Sequence, residues 1–399
     1  MVTKLYPNLV SAALEALQGI FQEGYYADKA IERLLKSNPK WGARDRAFLA
    51  ESIYEMVRWY RLLYEIDGKE PKNQKDWMQL FGIWWLIKGE TLPDWDVFKT
   101  IDSQAVLQQY QAFQGIRKIK ESIPNWLDEI GQQELSENWD ATLHALNEPA
   151  KVILRANRLK ISAKELQRLL LNENIETTFL DGEALLVTQR KNLFATKTFR
   201  EGLFEVQDYA SQQVAPFLQI EPGMRVIDAC AGGGGKSLHL AALMQDKGRI
   251  ISMDTEGWKL QELRRRARRA GTSIIETRTI DSSKVVKRLE GTADRVLLDV
   301  PCSGLGVLRR NPDAKWKLNP NFLENVRKTQ AEIIASYSRM CKPGGKLVYA
   351  TCSILPSENQ EQIQKFLSAK SQDFQLVQEK IISPIEGFDG FYMALLERH

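Results

Sequence analysis

The stretch DACAGGGGKSLHLA at 228–241 puts four consecutive glycines in front of an apolar, helix-like segment. A phosphate-cradling loop of the form G-x-x-x-x-G-K-[ST] ending at Gly235-Lys236-Ser237 needs a glycine at 230. Position 230 is Cys, so the spacing excludes that loop. The dinucleotide fingerprint G-x-G-x-x-G would use 232, 234 and 237, and 237 is Ser. What remains is a strand, a glycine turn and a helix start, where the backbone can approach a ligand closely. Asp254, Asp281 and Asp299 end three later apolar runs. Each alone could be a cap or turn residue. Acids at the carboxyl ends of successive parallel strands, however, line the crevice in which an open α/β sheet binds its ligand. S-adenosylmethionine, with a ribose, an adenine amino group and a sulfonium but no pyrophosphate, suits this set better than NAD.

Two cysteines stand beside that crevice. LLDVPCSGLGV places Cys302 just past a strand, and LVYATCSILPSEN places Cys352 at the end of the next one. In a doubly wound sheet of the methyltransferase type these two strands are neighbours. A redox disulfide, or two small core residues, would also fit the pair. The chemistry that needs both is methylation at carbon 5 of a pyrimidine. Carbon 5 of cytosine is a weak nucleophile, and a thiolate must first add to carbon 6 to activate it. An acid near N3 steadies the developing charge, and a base later removes the carbon-5 proton so that the thiolate leaves. Cys230 and Cys341 read as small buried residues.

The elements that must position these groups fall into two compositions. Residues 1–150 hold 17 Lys+Arg against 22 Asp+Glu and eight of the ten Trp; the remainder holds 38 against 29 and all four Cys. The basic part is the one suited to a polyanion. Up to about 145, apolar residues recur at three and four, as in ARDRAFLAESIYEMVRWYRLLYEI, which predicts helices throughout. VILRAN, the helix SAKELQRLLLNEN capped by Ser162, and EALLVTQ predict a small α/β module. From 216 onward, RVIDA, RIISMD, SIIETRTID, DRVLLDV and KLVYATC alternate with helical segments, as buried parallel strands do, and the chain closes with a polar-flanked strand, GFYMALLER. The start carries no basic-then-apolar leader, and FGIWWLI is far shorter than the ~20 residues of a membrane helix. A cytoplasmic protein is expected. Four Cys without C-x-x-C and three His without a pair predict no metal site.

Taken together, DACAGGGGK, DVPCSGLGVLRRNPDAKW, YATCSILPSENQEQI and DGFYMALLER resemble the motif blocks of the Sun (RsmB-type) family of RNA cytosine-5 methyltransferases. LRANRLK and FEVQDYASQQVA resemble further blocks of that family, and the first ~145 residues resemble its NusB-like helical domain. The sequence departs at Gly232-Gly233, where the family commonly has Ala-Pro, and at Gln360, where Glu is common.

The resemblance implies an all-α NusB-like bundle (1–147), a small α/β RNA-binding module (148–215) and a Rossmann-like class I methyltransferase domain (216–399). It implies S-adenosylmethionine as cofactor, held by Cys230, Ala231, Gly232, Gly233, Gly234, Gly235 and Lys236 with Asp254, Asp281 and Asp299. Cys352 would be the nucleophile, Cys302 the release group and Asp299 the residue that holds the base. Arg158, Lys160, Arg309, Arg310 and Lys315 would contact RNA, whereas the run RRRARR at 264–269 reads equally as a solvated face. The partner expected is RNA, most simply small-subunit ribosomal RNA, for a monomer with no membrane and no metal. The same chemistry on transfer RNA, and a non-catalytic ribosome-assembly factor with a methyltransferase fold, are the alternatives.

Overall fold

Residues 5–189 and 191–399 are described by a computed structural model of the chain. It divides into two units: one comprises the chain up to Glu148 together with Leu308–Asn319, the other Pro149–Val307 with Pro320–His399.

The first unit is helical, built on Pro7–Gln22, Ala27–Ser37, Ala43–Arg58, Tyr60–Asp67, Gln74–Ile87, Ser103–Phe113, Asn125–Leu135 and Trp139–Asn147, with short turns between. Side-chain caps start two of them: Asn73 accepts the Asp76 N–H, and Asp102 accepts those of Gln104 and Ala105, satisfying donors that a helix start leaves open. The three-and-four spacing of Val10, Leu14 and Leu17, and of Leu49, Ile53 and Met56, turns those residues into a shared core with Trp77, Phe81 and Trp84. The tryptophans here are packing residues, as in the stacked pairs Tyr60–Trp77 and Phe81–Trp85.

The second unit holds two sheets. β1 (Ile153–Ala156), β2 (Thr177–Phe179), β3 (Ala184–Val187) and β4 (Phe204–Val206) pair antiparallel in the order β2-β3-β1-β4, covered by the helix Ala163–Asn172. That helix begins at a capping box between Ser162 and Glu165, the start predicted from sequence. β5 (Arg225–Asp228), β6 (Arg249–Asp254), β7 (Ile275–Thr279), β8 (Ala293–Asp299), β9 (Cys341–Thr351), β10 (Phe374–Ile382) and β11 (Phe391–Arg398) form the large sheet, ordered β10-β11-β9-β8-β5-β6-β7. Strands β5 to β9 run parallel, and β10 and β11 are antiparallel additions. Neighbours in sequence enter opposite cores, Leu298 and Tyr349 on one face and Leu297 and Val348 on the other. The central strands are therefore apolar on both sides, as a parallel sheet flanked by helices requires.

Strand β8 pairs with β9 through Asp299↔Ala350, so the loops that follow, carrying Cys302 and Cys352, leave the sheet side by side. The switch in strand order falls between β5 and β8, where an open α/β sheet forms its ligand crevice. No described helix is long and apolar enough to cross a membrane.

Candidate active site

The glycine loop is shaped by its neighbours. The Ala231 N–H donates to the Met253 carbonyl at 2.8 Å, which ties the loop to β6. Gly234 starts the helix Gly235–Leu243 at φ +87°, and a Cβ there would stand 2.4 Å from Leu263 Cγ, so no larger residue fits. Gly232 also has positive φ, but a Cβ on it would meet nothing within 4 Å. The cradle is open on that side, toward which a ligand can approach the backbone. Asp254 is almost buried, and both its oxygens are used: Oδ2 accepts the Gly232 N–H and Oδ1 the Glu256 N–H, each at 2.9 Å. An acid that braces the loop at the end of β6, with a glycine backbone facing open space, fits the ribose and methionine portions of S-adenosylmethionine.

Below the loop, Asp228 is fully buried. The Ser237 hydroxyl donates to its Oδ2 at 2.6 Å and lies 2.8 Å from the Ser252 hydroxyl. Burial pushes the Asp228 carboxyl up to about 7. Lys236 Nζ donates to Asp299 Oδ2 at 2.6 Å and sits over the Phe391 ring, so the loop's cation is held against the end of β8. Burial, and after it the Asp228 charge, raise the Cys230 thiol. Asp281 is exposed and accepts the hydroxyl of its neighbour Ser282.

Four glycines in a row are held from outside. Arg266 Nη1 donates to the Gly233 carbonyl at 2.7 Å and its Nη2 to Glu205 at 2.9 Å, while Arg155 Nη1 donates to the Gly235 carbonyl at 2.8 Å. Arg269 joins Arg266 on Glu205 and stacks over Phe199. The arginine run thus has two members spent on the small sheet and the loop, and Arg264, Arg265 and Arg268 on the exposed side.

Cys302 Sγ and Cys352 Sγ lie 3.3 Å apart, both unbridged and both partly exposed. The Cys302 thiol is pushed well above the ordinary range, first by its hydrogen bond to Cys352 and then by burial. The two loops are joined in the main chain as well: the Gly306 N–H donates to the Cys352 carbonyl at 2.9 Å. The arrangement sets two unbridged sulfurs side by side just beyond the ends of β8 and β9.

Arg158 and Lys160 are exposed on the small sheet, Arg158 paired with Glu183 at 3.1 Å and Lys160 donating to the carbonyls of Glu201 and Arg269. Arg309 and Lys315 require a correction. They were expected at the mouth of the site as RNA contacts, but segment 308–319 belongs to the helical unit, and the two side chains are 3% and 1% exposed. Arg309 Nε donates to the Ala145 carbonyl at 2.6 Å and Lys315 Nζ to the Arg58 carbonyl at 2.8 Å, so their donors are spent indoors rather than on a phosphate. Arg310 is half-buried in the same segment.

Sequence reasoning passed over Asp228, Arg155, Arg266, Ser303, Ser353 and Glu358. For the last three a signal existed: each cysteine of the pair is followed by Ser, and an acid lies shortly after the second.

The family model described as 16S rRNA methyltransferase RsmB/F matches residues 215–396, and that of the RsmF/B-like ferredoxin-like domain matches 123–192. The probable ribosomal RNA small subunit methyltransferase B of Synechocystis is 31% identical, with 88% of this chain and 87% of that protein aligned. The ribosomal RNA small subunit methyltransferase B of Vibrio vulnificus is 30% identical over 98% of this chain and 99% of its own length. A solved methyltransferase homologue from Pyrococcus horikoshii superposes with a TM-score of 0.63 at 25% identity, covering 71% of this chain and 97% of that one.

Proposed function

This chain belongs to the 16S rRNA methyltransferase RsmB/F family, and we propose that it methylates carbon 5 of a cytosine in small-subunit ribosomal RNA through a covalent bond from Cys352. The observation that carries this reading is the unbridged Cys302–Cys352 contact of 3.3 Å at the ends of two adjacent parallel strands, beside the Asp299–Lys236 pair.

S-adenosylmethionine, held by the glycine loop and Asp254, supplies an electrophilic methyl group. Cys302 keeps its proton before attack, because its hydrogen bond to Cys352 and its burial oppose ionisation. In this reading Cys352, the cysteine of YATCS, gives its proton to solvent and adds as a thiolate to carbon 6 of the target base, making carbon 5 nucleophilic. Asp299, at the end of β8, holds the N3 side of the ring in this reading while charge builds there. Once Cys352 is bonded to carbon, its sulfur no longer opposes loss of the Cys302 proton. Cys302, its own proton released to solvent at the partly exposed pair, then takes the carbon-5 proton as the bond from Cys352 to carbon 6 breaks, which restores the carbon 5–carbon 6 double bond and leaves Cys352 as a thiolate. The cytosine must be unstacked for this attack, since both faces of a stacked base are covered.

Two variants test the assignment on unmethylated small-subunit ribosomal RNA. Cys352→Ala is expected to give neither product nor adduct. Cys302→Ala is expected to attack and methylate, then stall as a protein–RNA conjugate that survives denaturing electrophoresis. A conjugate from Cys352→Ala and none from Cys302→Ala would reverse the roles. Two variants that merely lose stability, with no conjugate in either, would remove covalent chemistry from the reading.

A further inference from the structure

The loops that carry Cys302 and Cys352 converge on one carboxylate. Glu358 is fully buried, and its Oε1 accepts the hydroxyls of Ser303 and Ser353, each at 2.5 Å. Its Oε2 accepts the Ser303 N–H at 2.8 Å and Gln330 Nε2 at 3.0 Å. Gln330 also donates to the Pro301 carbonyl at 2.9 Å, and the Tyr349 hydroxyl donates to the Glu358 carbonyl at 2.7 Å. The residue after each cysteine therefore bonds to the same oxygen atom.

A carboxylate sealed away from water is costly unless donors surround it. Here four donors do so, and they come from the loop after β8, the loop after β9 and the helix Pro320–Tyr337. Only an ionised carboxylate accepts without donating. A carboxamide at the same place would turn its own N–H groups toward serines already committed as donors. A purely apolar packing role would call for none of this.

We propose that Glu358 is a positioning residue that clips the two cysteine loops together and so sets the separation of the two sulfurs. This inference rests on the reading that both sulfurs act in one reaction. The negative charge of Glu358 also adds to the forces that keep the proton on Cys302, behind the Cys352 hydrogen bond and burial.

The separation can be measured without RNA or cofactor, using dibromobimane, which fluoresces when its two arms have alkylated two neighbouring thiols. In the full-length chain the fluorescence is expected to form and to vanish in Cys302→Ser and in Cys352→Ser. In Glu358→Gln the ratio of bridged to singly alkylated protein, read by mass spectrometry, is expected to fall roughly tenfold or more, since displacements near 1 Å are costly at such distances. S-adenosylmethionine affinity should stay at the native value, because none of the bonds to Glu358 comes from the glycine loop. Native bridging in a folded Glu358→Gln protein would overturn the proposal. If that variant does not fold, Ser303→Ala/Ser353→Ala removes the two hydroxyl bonds with little change in volume, and the same ratio decides. Full methylation by Cys352→Ala would defeat the covalent reading by itself, whatever the bridging ratio shows.

Discussion

Replacing Trp316 by Ala tests whether segment 308–319, which begins six residues after Cys302, is held by the helical unit. Trp316 Nε1 donates to the Val57 carbonyl at 2.7 Å, and its ring meets Tyr60 edge-on at 5.5 Å. On either side of it Lys315 Nζ donates to the Arg58 carbonyl, and Asp313 accepts the Ala27 N–H at 3.1 Å. Truncating a core tryptophan costs ~3–5 kcal/mol, and the partial exposure of this one brings the packing loss to about 2 kcal/mol. The lost hydrogen bond adds about 1 kcal/mol. A total near 3 kcal/mol, at ~1.4 kcal/mol per decade, raises the open population of the segment by about 100-fold. Trypsin reads that population directly, because Arg309, Arg310, Lys315 and Lys317 are its sites and cleavage follows the open fraction when closing is fast. Cleavage within 308–319 is expected to accelerate by about that factor, with S-adenosylmethionine affinity within roughly twofold of native. Methyl transfer should fall, since Cys302 lies on the loop that the segment continues. An unchanged cleavage rate would refute the anchoring argument. A parallel loss of cofactor affinity would show instead that the whole chain had been loosened.

Two other groups give separate tests. Asp254→Ala removes the acceptor for the Gly232 and Glu256 N–H groups, and cofactor affinity by calorimetry is expected to drop tenfold or more, about 1.4 kcal/mol; unchanged affinity would take Asp254 out of the site. Asp228, raised to about 7, binds a proton in the folded chain that the unfolded chain has already released. Its contribution therefore favours folding at acid pH and is lost as the pH rises through about 7. Asp228→Asn should flatten the fall in stability between roughly pH 4 and pH 7 in urea titrations, and equal slopes in both proteins would count against a buried, protonated Asp228.

The parts of the fold that could be read from sequence are those whose pattern is local. The parallel strands announce themselves as apolar runs because both faces are buried, and Ser162 announces a helix because its cap partner Glu165 is three residues away. Strand β10 gives no such signal: it is an edge strand with Leu376, Val377 and Ile381 exposed among polar neighbours, so neither alternation nor an apolar run marks it. In the site, the glycine loop, Asp254 and the two cysteines were legible because their residue types are chemically unusual at strand ends. For Glu358 the local signal, a Ser after the second cysteine and an acid five residues on, gains its meaning only from Ser303, 55 residues earlier, on the same oxygen.

Segment 308–319 shows the same limit more sharply. RRNPDAKW is polar, Pro-containing and basic, which by composition describes a solvated loop suited to phosphate. Its fate is decided by partners more than 160 positions away, Ala145 for Arg309, and Arg58 and Val57 for Lys315 and Trp316. A lysine with 1% exposure is stable there because its ammonium finds a carbonyl indoors, and burial lowers its pKa well below the ordinary value. Positive charge beside a nucleophile is thus weak grounds for an RNA contact until its donors have been counted. By exposure the cations Arg158, Arg264, Arg265 and Arg268 of the second unit, although each also has a partner at the surface, are better placed to meet a phosphate than the buried Arg309 or Lys315. Substituting them should weaken RNA binding in a salt-dependent way, whereas changes at Arg309 and Lys315 should act through stability.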